Sequence, residues 1–320
     1  GVEWFESFPA QLSRASGRNI YNMGVAGWGP VHYRRILEDA LKTKPQLVIV
    51  GLYLGNDVFD SYRDVYDEPL AIGADLADEK IWQEKLAVLR ESQPAIKQIA
   101  ALYQQTVEDN RLADGRRSAP LEAEPLLLHY CMIARLTDSL WRIVWRIDAR
   151  TAAEKWNATK SWASQRPEHL VVIDTANVQT VLTVPYRGFA VNIDDPRIVE
   201  GLRVTEMILG QMSERCREQN VDFLVLLIPT KETVLQSLAD PKSDAYERLL
   251  SGEKTLASKI DEQLRDMQIP VVDATLFLVE PLSQGENSYS PSTDGHPSPV
   301  GHRSIAAGLA EHPLIRHVVR

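Results

Sequence analysis

The stretch 46–52, QLVIVGL, is a continuous apolar run of the kind that forms a strand buried on both faces of a parallel sheet. Residues 222–228, DFLVLLI, form a second run of this kind, and residues 270–273, PVVD, form a shorter one. The sequence around these runs predicts helices over 203–219, 253–268 and 301–309. Strands that alternate with helices of this length predict βαβ units, and therefore an α/β fold with a parallel, doubly wound sheet.

The N-terminal part of the chain predicts the same alternation. A helix is expected over 6–16, and Gly17 ends it. A short strand is expected over 19–25, and a second helix over 31–43 is broken by Pro45. These elements extend the α/β pattern upstream of the first apolar run.

The two α/β stretches are separated by a long segment of different character. We expect one α/β domain made of residues 1–58 and 198–320, with a mainly helical insertion at 59–197. Within the insertion, β-branched residues over 169–193 predict a small hairpin or an irregular arm. A lid over the ligand cleft is one hypothesis for the insertion, whose best helix candidates are 81–105 and 121–162.

The composition excludes some classes of function. Apolar residues make up 44% and charged residues 25% of the 320 residues, which is ordinary for a globular protein with a normal core. The net charge is −9 and no long basic run occurs, so nucleic acid is not expected as a partner. The most apolar long stretch, 126–145, does not predict a membrane span because it contains His129, Arg135, Asp138 and Arg142.

Cysteine usage gives no sign of a metal centre. Cys131 and Cys216 lie far apart and lack the spacing of metal ligands, so we expect two buried free thiols. A disulfide between them stays open. No signal region is recognisable, so both an extracytoplasmic and a cytoplasmic location stay open. No metal or cofactor is expected.

Small and polar residues follow the predicted strands, at the edge where parallel sheets bind ligands. Gly27 follows the first strand, and a glycine there lets the backbone offer a bare N–H to a ligand. Asn56 follows the second strand and can donate its side-chain amide to an oxyanion. The alternatives are a tight strand-to-helix turn at Gly27 and an Asx-type turn at Asn56.

A third candidate lies before the last predicted helix. Asp294 and His296 stand two residues apart, which allows the carboxylate to orient the imidazole as in the general-base half of a hydrolytic triad. The alternative is a solvated loop. His302 lies in the first turn of the helix and is interpreted as structural. Lys231 and Glu232 follow the strand at 222–228 and either form a surface turn or contact a polar substrate.

In this order the three features resemble the blocks of the SGNH (GDSL-like) hydrolase family, in a bacterial branch. Residues 22–30 (NMGVAGWGP), 54–60 (LGNDVFD) and 294–309 (DGHPSPVGHRSIAAGL) are similar to its second, third and fifth blocks. Residues 194–209 and 226–234 also resemble this branch. The resemblance covers most of the chain and is weakest in the insertion. It implies a flavodoxin-like three-layer α/β/α fold with a parallel sheet.

The resemblance also implies roles for individual residues. The Gly27 N–H and the Asn56 amide would form the oxyanion hole. His296 would be the general base and later the general acid, oriented by Asp294. The family usually has Asp-x-x-His, one residue longer than here, so His302 is kept as a reserve base. The candidate substrate contacts are Trp28, which can equally be plain packing, Asp57 and Lys231.

One block of the family is missing. Its Gly-Asp-Ser, which ends the first strand and carries the nucleophile, occurs nowhere in the 320 residues. We therefore expect the serine upstream of residue 1, the first strand absent from the sheet, and this chain alone to be poorly stable and inactive. Ser61 follows Asp60, but it lies beyond the Gly-Asn-Asp block and is not expected to be the nucleophile.

The function implied by the resemblance is that of a serine esterase or acylhydrolase. The expected substrate is a small-molecule or carbohydrate ester, such as an O-acyl group on a carbohydrate or lipid. Two alternatives stay open. One is an O-acyltransferase acting on an envelope polysaccharide, and the other is a non-catalytic carbohydrate-binding protein that has lost its serine.

Overall fold

The computed structural model describes residues 2–25, 27–67, 70–78, 151–239 and 243–317. Within them the protein has a mixed α/β fold with five strands. These are β1 (Leu47–Tyr53), β2 (Val171–Asp174), β3 (Gln179–Leu182), β4 (Asp222–Ile228) and β5 (Val271–Asp273). The helices are α1 (Phe8–Ser16), α2 (Pro30–Lys42), α3 (Asp57–Tyr62), α4 (Ala152–Ser164), α5 (Val184–Ala190), α6 (Pro196–Glu218), α7 (Lys231–Val234), α8 (Asp244–Asp266), α9 (Thr275–Ser283), α10 (Pro299–Ala310) and α11 (Pro313–His317). Short 3₁₀ or π turns occupy Trp4–Glu6, Arg63–Asp67 and Ala71–Leu76.

The three predicted apolar runs form one parallel sheet in the order β1-β4-β5. Strand β1 pairs with β4 along its whole length, from Leu47 opposite Asp222 to Tyr53 opposite Ile228. The central strand β4 is the most deeply buried of the three, whereas β1 is half-buried over its first residues. The parallel sheet and the alternation of strands with helices are therefore confirmed.

The predicted strand over 19–25 is absent. This segment contains no helix or strand, and Tyr21 and Val25 are exposed. Within the described residues this segment pairs with no strand, and the edge of β1 away from β4 is not paired with any strand either. A single extended segment leaves its backbone groups to water and does not make a strand by itself.

Two long helices begin well before their predicted starts. Helix α6 begins at Pro196 because the Asp195 side chain accepts the N–H of Arg197 and caps the first turn. Helix α8 begins at Asp244, where the Ser243 hydroxyl accepts the N–H of Tyr246. In both cases a capping residue set the boundary, and the apolar periodicity on which the prediction relied starts later.

The described end of the insertion contains a hairpin. Of the two alternatives predicted for 169–193, the hairpin is therefore confirmed. Strands β2 and β3 pair in antiparallel fashion, and Ile173 and Leu182 share the main hydrophobic core with the parallel sheet. The predicted helix over 81–105 lies outside the described residues, as does Cys131. Of the predicted helix over 121–162, only the end is described, in α4.

Helix α6 is packed against β4, α2 and α3. Its closest approach to α3 is at Gly201, where an added Cβ would lie 2.0 Å from the carbonyl oxygen of Val58. This contact lets α3, which begins directly after the Asn56 turn, lie flat against α6. Gly201 therefore helps to fix the position of the Asn56 turn on the core.

We predict that Gly201→Ala lowers the free energy of unfolding by about 1–3 kcal/mol or more, because the methyl group displaces the Val58 backbone. Gly210→Ala in the same helix is the matched control, since its Cβ would meet only the flexible Met267 Sδ at 3.1 Å. That change should be neutral or should stabilise the helix by up to about 1 kcal/mol. Urea unfolding of both variants checks this, and equal midpoints would contradict it.

Candidate active site

The Asn56 side chain is held in a defined orientation at the end of β1. Its Nδ2 donates a hydrogen bond to the Asp60 carboxylate one turn along α3, and Asp60 also pairs with Arg63. A side-chain amide carries two hydrogens, and the second has no partner among the described residues. The turn therefore presents one fixed N–H donor at the carboxyl end of the strand.

Asp294 and His296 form a paired dyad. The His296 Nδ1 lies 2.6 Å from the Asp294 Oδ1, and the His296 backbone N–H donates to the same oxygen at 3.0 Å. Burial works to raise the pKa of Asp294, but the hydrogen bonds and charge of His296 outweigh it and hold that pKa well below its usual range. A spacing of one residue fewer than the family pattern therefore allows the carboxylate to orient the imidazole.

The turn containing Gly27 and Trp28 packs against the start of α3. The Tyr33 hydroxyl lies 3.0 Å from the Trp28 carbonyl oxygen and 3.1 Å from the Asp57 Oδ2, so it joins the two segments. Gly29 comes so close that an added Cβ would lie 2.9 Å from the Asp60 Cβ. Gly27 itself is exposed and has a φ of 81°, in the region that favours glycine.

Trp28 is partly buried beside this turn. Its ring stacks on His32 with the ring centroids 5.2 Å apart. The indole is therefore already packed on one side. This contact favours the packing interpretation of Trp28, although the residue remains at the same edge as Asn56.

Arg187 joins the Asn56 turn to the His296 turn. It is buried on α5, and its Nη1 donates to the Gly55 carbonyl oxygen at 2.8 Å. A Cβ at Gly295 would lie 2.5 Å from the Arg187 Nη2 and 2.7 Å from the Tyr53 hydroxyl oxygen. Tyr53 also lies beside His296, with ring centroids 5.9 Å apart. The glycine between Asp294 and His296 is what lets the two turns meet.

These contacts bring the predicted segments together at the carboxyl end of β1. Gly29 touches Asp60, and Arg187 spans from Gly55 to Gly295. Sequence reasoning missed Arg187 and Tyr53. Arg187 lies in the insertion, far along the chain from both turns, and no motif marks it. Tyr53 lies one residue beyond the predicted strand 46–52, and no motif marks it either.

Asp57 is a correction to the predicted substrate contacts. Its side chain is buried, and its Oδ2 accepts the backbone N–H of Tyr53 at 2.9 Å as well as the contact from Tyr33. Burial, with the charge of Asp60 added, raises the pKa of Asp57 to about 8 against the effect of these hydrogen bonds. Asp57 braces the turn from inside and does not face a substrate.

Lys231 and Glu232 are also corrections, because both are completely buried. The Lys231 Nζ donates to the carbonyl oxygens of Ser292 and Asp294, and the Glu232 Oε1 accepts the backbone N–H of Thr183 at 2.7 Å. Neither a surface turn nor a substrate contact fits these positions. The short helix α7 turns both side chains inward directly after β4.

His302 and Ser61 have internal partners. The His302 Nδ1 accepts the backbone N–H of Phe8 at 3.2 Å, which ties α10 to α1. Burial, followed by the charge of His296, lowers the pKa of His302 to about 4. These contacts fit the structural interpretation of His302 better than that of a reserve base. The Ser61 hydroxyl is buried and bonded to Asp57 and Thr205, which fits the expectation that it is not a nucleophile.

Cys216 is a buried free thiol, as expected for one of the two cysteines. Across the described residues, no group of three or more His, Cys, Asp or Glu side chains is arranged to hold a metal ion. In the same part of the chain, no helix has the length and apolar character needed to cross a bilayer.

Comparison of the chain with protein-family models, with curated proteins and with solved structures found no match.

We predict that Asp57→Asn changes how stability depends on pH. Asp57 has a pKa of about 8 in the folded state and about 3.9 in the unfolded state. Between these values the folded protein keeps a proton that the unfolded chain has lost, so the free energy of unfolding falls as the pH rises from 4 towards 8. The wild type should therefore lose up to about 1.4 kcal/mol per pH unit relative to the variant between pH 5 and 8. Urea unfolding at several pH values measures this difference.

The matched control for this experiment is Asp222→Asn, which removes an exposed carboxylate at the start of β4. It shows how much of the change comes from replacing any carboxylate by an amide. A stability curve for Asp57→Asn that runs parallel to that of the wild type would show that the buried carboxyl does not take up a proton on folding.

Proposed function

We propose that this chain is the larger part of a serine ester hydrolase of the SGNH type. The observation that carries the proposal is the convergence of Asn56, the Gly27 turn and the Asp294–His296 dyad at one edge of the parallel sheet. An amide donor beside a carboxylate-oriented imidazole is the arrangement that acyl transfer through a serine requires.

In the proposed reaction His296 acts as the base. Its Nδ1 is engaged by Asp294, which leaves Nε2 to take the proton of a serine hydroxyl and later to give it to the leaving alcohol. The ionised Asp294 stabilises the imidazolium that forms. The His296 side chain is 67% exposed, so a substrate can reach it.

The tetrahedral oxyanion would be held by two donors, of which the Asn56 amide is held in place before the reaction. One Asn56 hydrogen is occupied by Asp60, and the other is available to the oxyanion. The exposed Gly27 adds a backbone N–H, and nothing lies within 4 Å of the position where a Cβ would stand. Donors that are oriented before the reaction stabilise the charge that develops in it without reorganising.

In the described part of the chain the edge of β1 away from β4 is unpaired, and this supports the location proposed for the serine. In a flavodoxin-like strand order of 2-1-3-4-5, a further parallel strand would lie between β1 and the extended segment 19–25. Its carboxyl end would then meet the same edge as Asn56 and His296. We propose that residues upstream of residue 1 supply this strand and the nucleophile, within a three-layer α/β/α fold.

The test is the hydrolysis of p-nitrophenyl acetate by a longer protein that includes the upstream coding sequence. Asn56→Ala in that protein should lower kcat per folded molecule by about 10²–10³-fold, or about 2.7–4 kcal/mol. Stability should fall by about 1–3 kcal/mol, because the buried Asp60 carboxylate loses a donor. Asn157→Ala, at an exposed position on α4, is the control. A change below about fivefold for Asn56→Ala would argue against its role as an oxyanion donor.

The same assay separates the proposal from its alternatives. Release of free acid supports a hydrolase, whereas acyl transfer to a sugar acceptor in preference to water would indicate a transferase. A longer protein with no upstream serine, which binds acylated polysaccharide without turnover, would overturn the enzymatic proposal.

The two histidines should respond differently to substitution. His296→Gln should remove nearly all ester turnover because no base remains at the edge. His302→Phe keeps a ring packed on Phe8 but removes the nitrogen that accepts the Phe8 backbone N–H. The free energy of unfolding should therefore fall by about 1–3 kcal/mol, while turnover per folded molecule stays near the wild-type value. Turnover lost equally in both variants would restore His302 as a base.

A further inference from the structure

The ammonium group of Lys231 is buried beneath the turn that carries the dyad. The side chain is 0% exposed, and its Nζ donates to the Ser292 carbonyl oxygen at 2.9 Å, the Asp294 carbonyl oxygen at 2.9 Å and the Thr180 hydroxyl oxygen at 3.2 Å. An ammonium has three hydrogens, so every donor is used. No hydrogen of this group remains for a substrate.

Two of these three acceptors are main-chain carbonyl oxygens of the turn, and the third is a hydroxyl group on the hairpin. Ser292 and Asp294 flank Thr293, and the backbone that leaves Asp294 leads directly to His296. Thr180 lies on β3, and its hydroxyl group also bonds the carbonyl oxygens of Ser290 and Ser292. Lys231 thus ties the turn to the hairpin and, through its own backbone, to the end of β4.

An apolar side chain would fill this space without the cost of burying a charge. Taking an ammonium out of water costs several kcal/mol unless its hydrogens are bonded, and here two of the three acceptors are main-chain carbonyls. Among the described residues no carboxylate bonds the Nζ, although the charges of Glu232 and Asp294 act on it from nearby. The Lys231 ammonium therefore fixes the shape of the turn, although removing its charge from water costs free energy.

We propose that Lys231 is a positioning residue, which holds the backbone of Ser292 and Asp294 so that the Asp294 carboxylate meets the His296 imidazole. This inference rests on the proposed function for its catalytic consequence, but the geometry it concerns exists in the chain without any reaction. Lys231→Met keeps the length of the side chain and removes all three donors. Thr180→Val keeps the shape of the side chain and removes one acceptor of the Nζ, together with the bond from the Thr180 hydroxyl to the carbonyl oxygens of Ser290 and Ser292.

The first readout is independent of activity. ¹⁵N NMR of the imidazole groups reports which ring nitrogen of His296 carries the proton, and His296→Gln assigns the signal. In the wild type the proton should reside on Nδ1, facing Asp294. Lys231→Met should convert His296 to a mixture of tautomers, and Thr180→Val should shift the signal part of the way. Thr205→Val, a buried threonine in α6 away from the turn, should leave it unchanged.

The second readout uses the longer protein described above. If the turn moves by about 1 Å, kcat should fall by about 100-fold while KM changes little, because the substrate contacts are intact. Lys231→Arg, which keeps a cation with donors at this point, should recover part of the loss. A merely structural role would lower the amount of folded protein without changing kcat per folded molecule.

The outcomes separate this inference from the proposed function. A His296 signal that stays unchanged in folded Lys231→Met overturns the positioning role. A signal that changes, in a longer protein that hydrolyses no ester, leaves the positioning role standing and overturns the proposed function. If Lys231→Met does not fold, Thr180→Val decides, and an unchanged His296 signal in that variant overturns the inference.

Discussion

The parallel pairing of β1 with β4 is the constraint on which the candidate site depends. Because Tyr53 lies opposite Ile228, the two strands end at the same height, and the Leu54 N–H continues the ladder by donating to the Ile228 carbonyl oxygen at 2.9 Å. The turns that follow therefore leave the sheet side by side. One turn carries Asn56 outward, and the other sends Lys231 inward beneath the loop that carries His296.

The site edge is held mainly by buried polar groups. Besides Lys231 and Asp57, Glu253 on α8 accepts the Thr230 backbone N–H at 2.7 Å and bonds the Thr233 hydroxyl at 2.6 Å, which fixes the start of α7. A buried polar group that loses its hydrogen-bond partner costs about 1–3 kcal/mol, so each of these bonds resists displacement of the turn that it joins. This arrangement gives the turns defined positions on the sheet.

The sequence was informative where local chemistry decides the structure. Continuous apolar runs located β1, β4 and β5, and the two-residue offset of Asp294 and His296 was enough to anticipate their pairing. It misled where the outcome depends on distant neighbours. The segment 19–25 has strand composition but pairs with no strand among the described residues, and the inward direction of Lys231 and Asp57 follows from the elements packed over them. Nothing local signals that Arg187 will join two turns more than a hundred residues away on either side.

The attachment of the hairpin to the His296 loop has a consequence for how such a protein can diverge. The β3 backbone bonds the loop through the Val181 N–H and the Gln179 carbonyl oxygen, and α5 follows directly with Arg187. A recombination event that replaced the whole inserted segment would therefore also remove the contacts that hold the His296 loop. Exchange that spares residues 171–190 keeps these contacts, so the sequence upstream of the hairpin can diverge while the His296 loop stays in place.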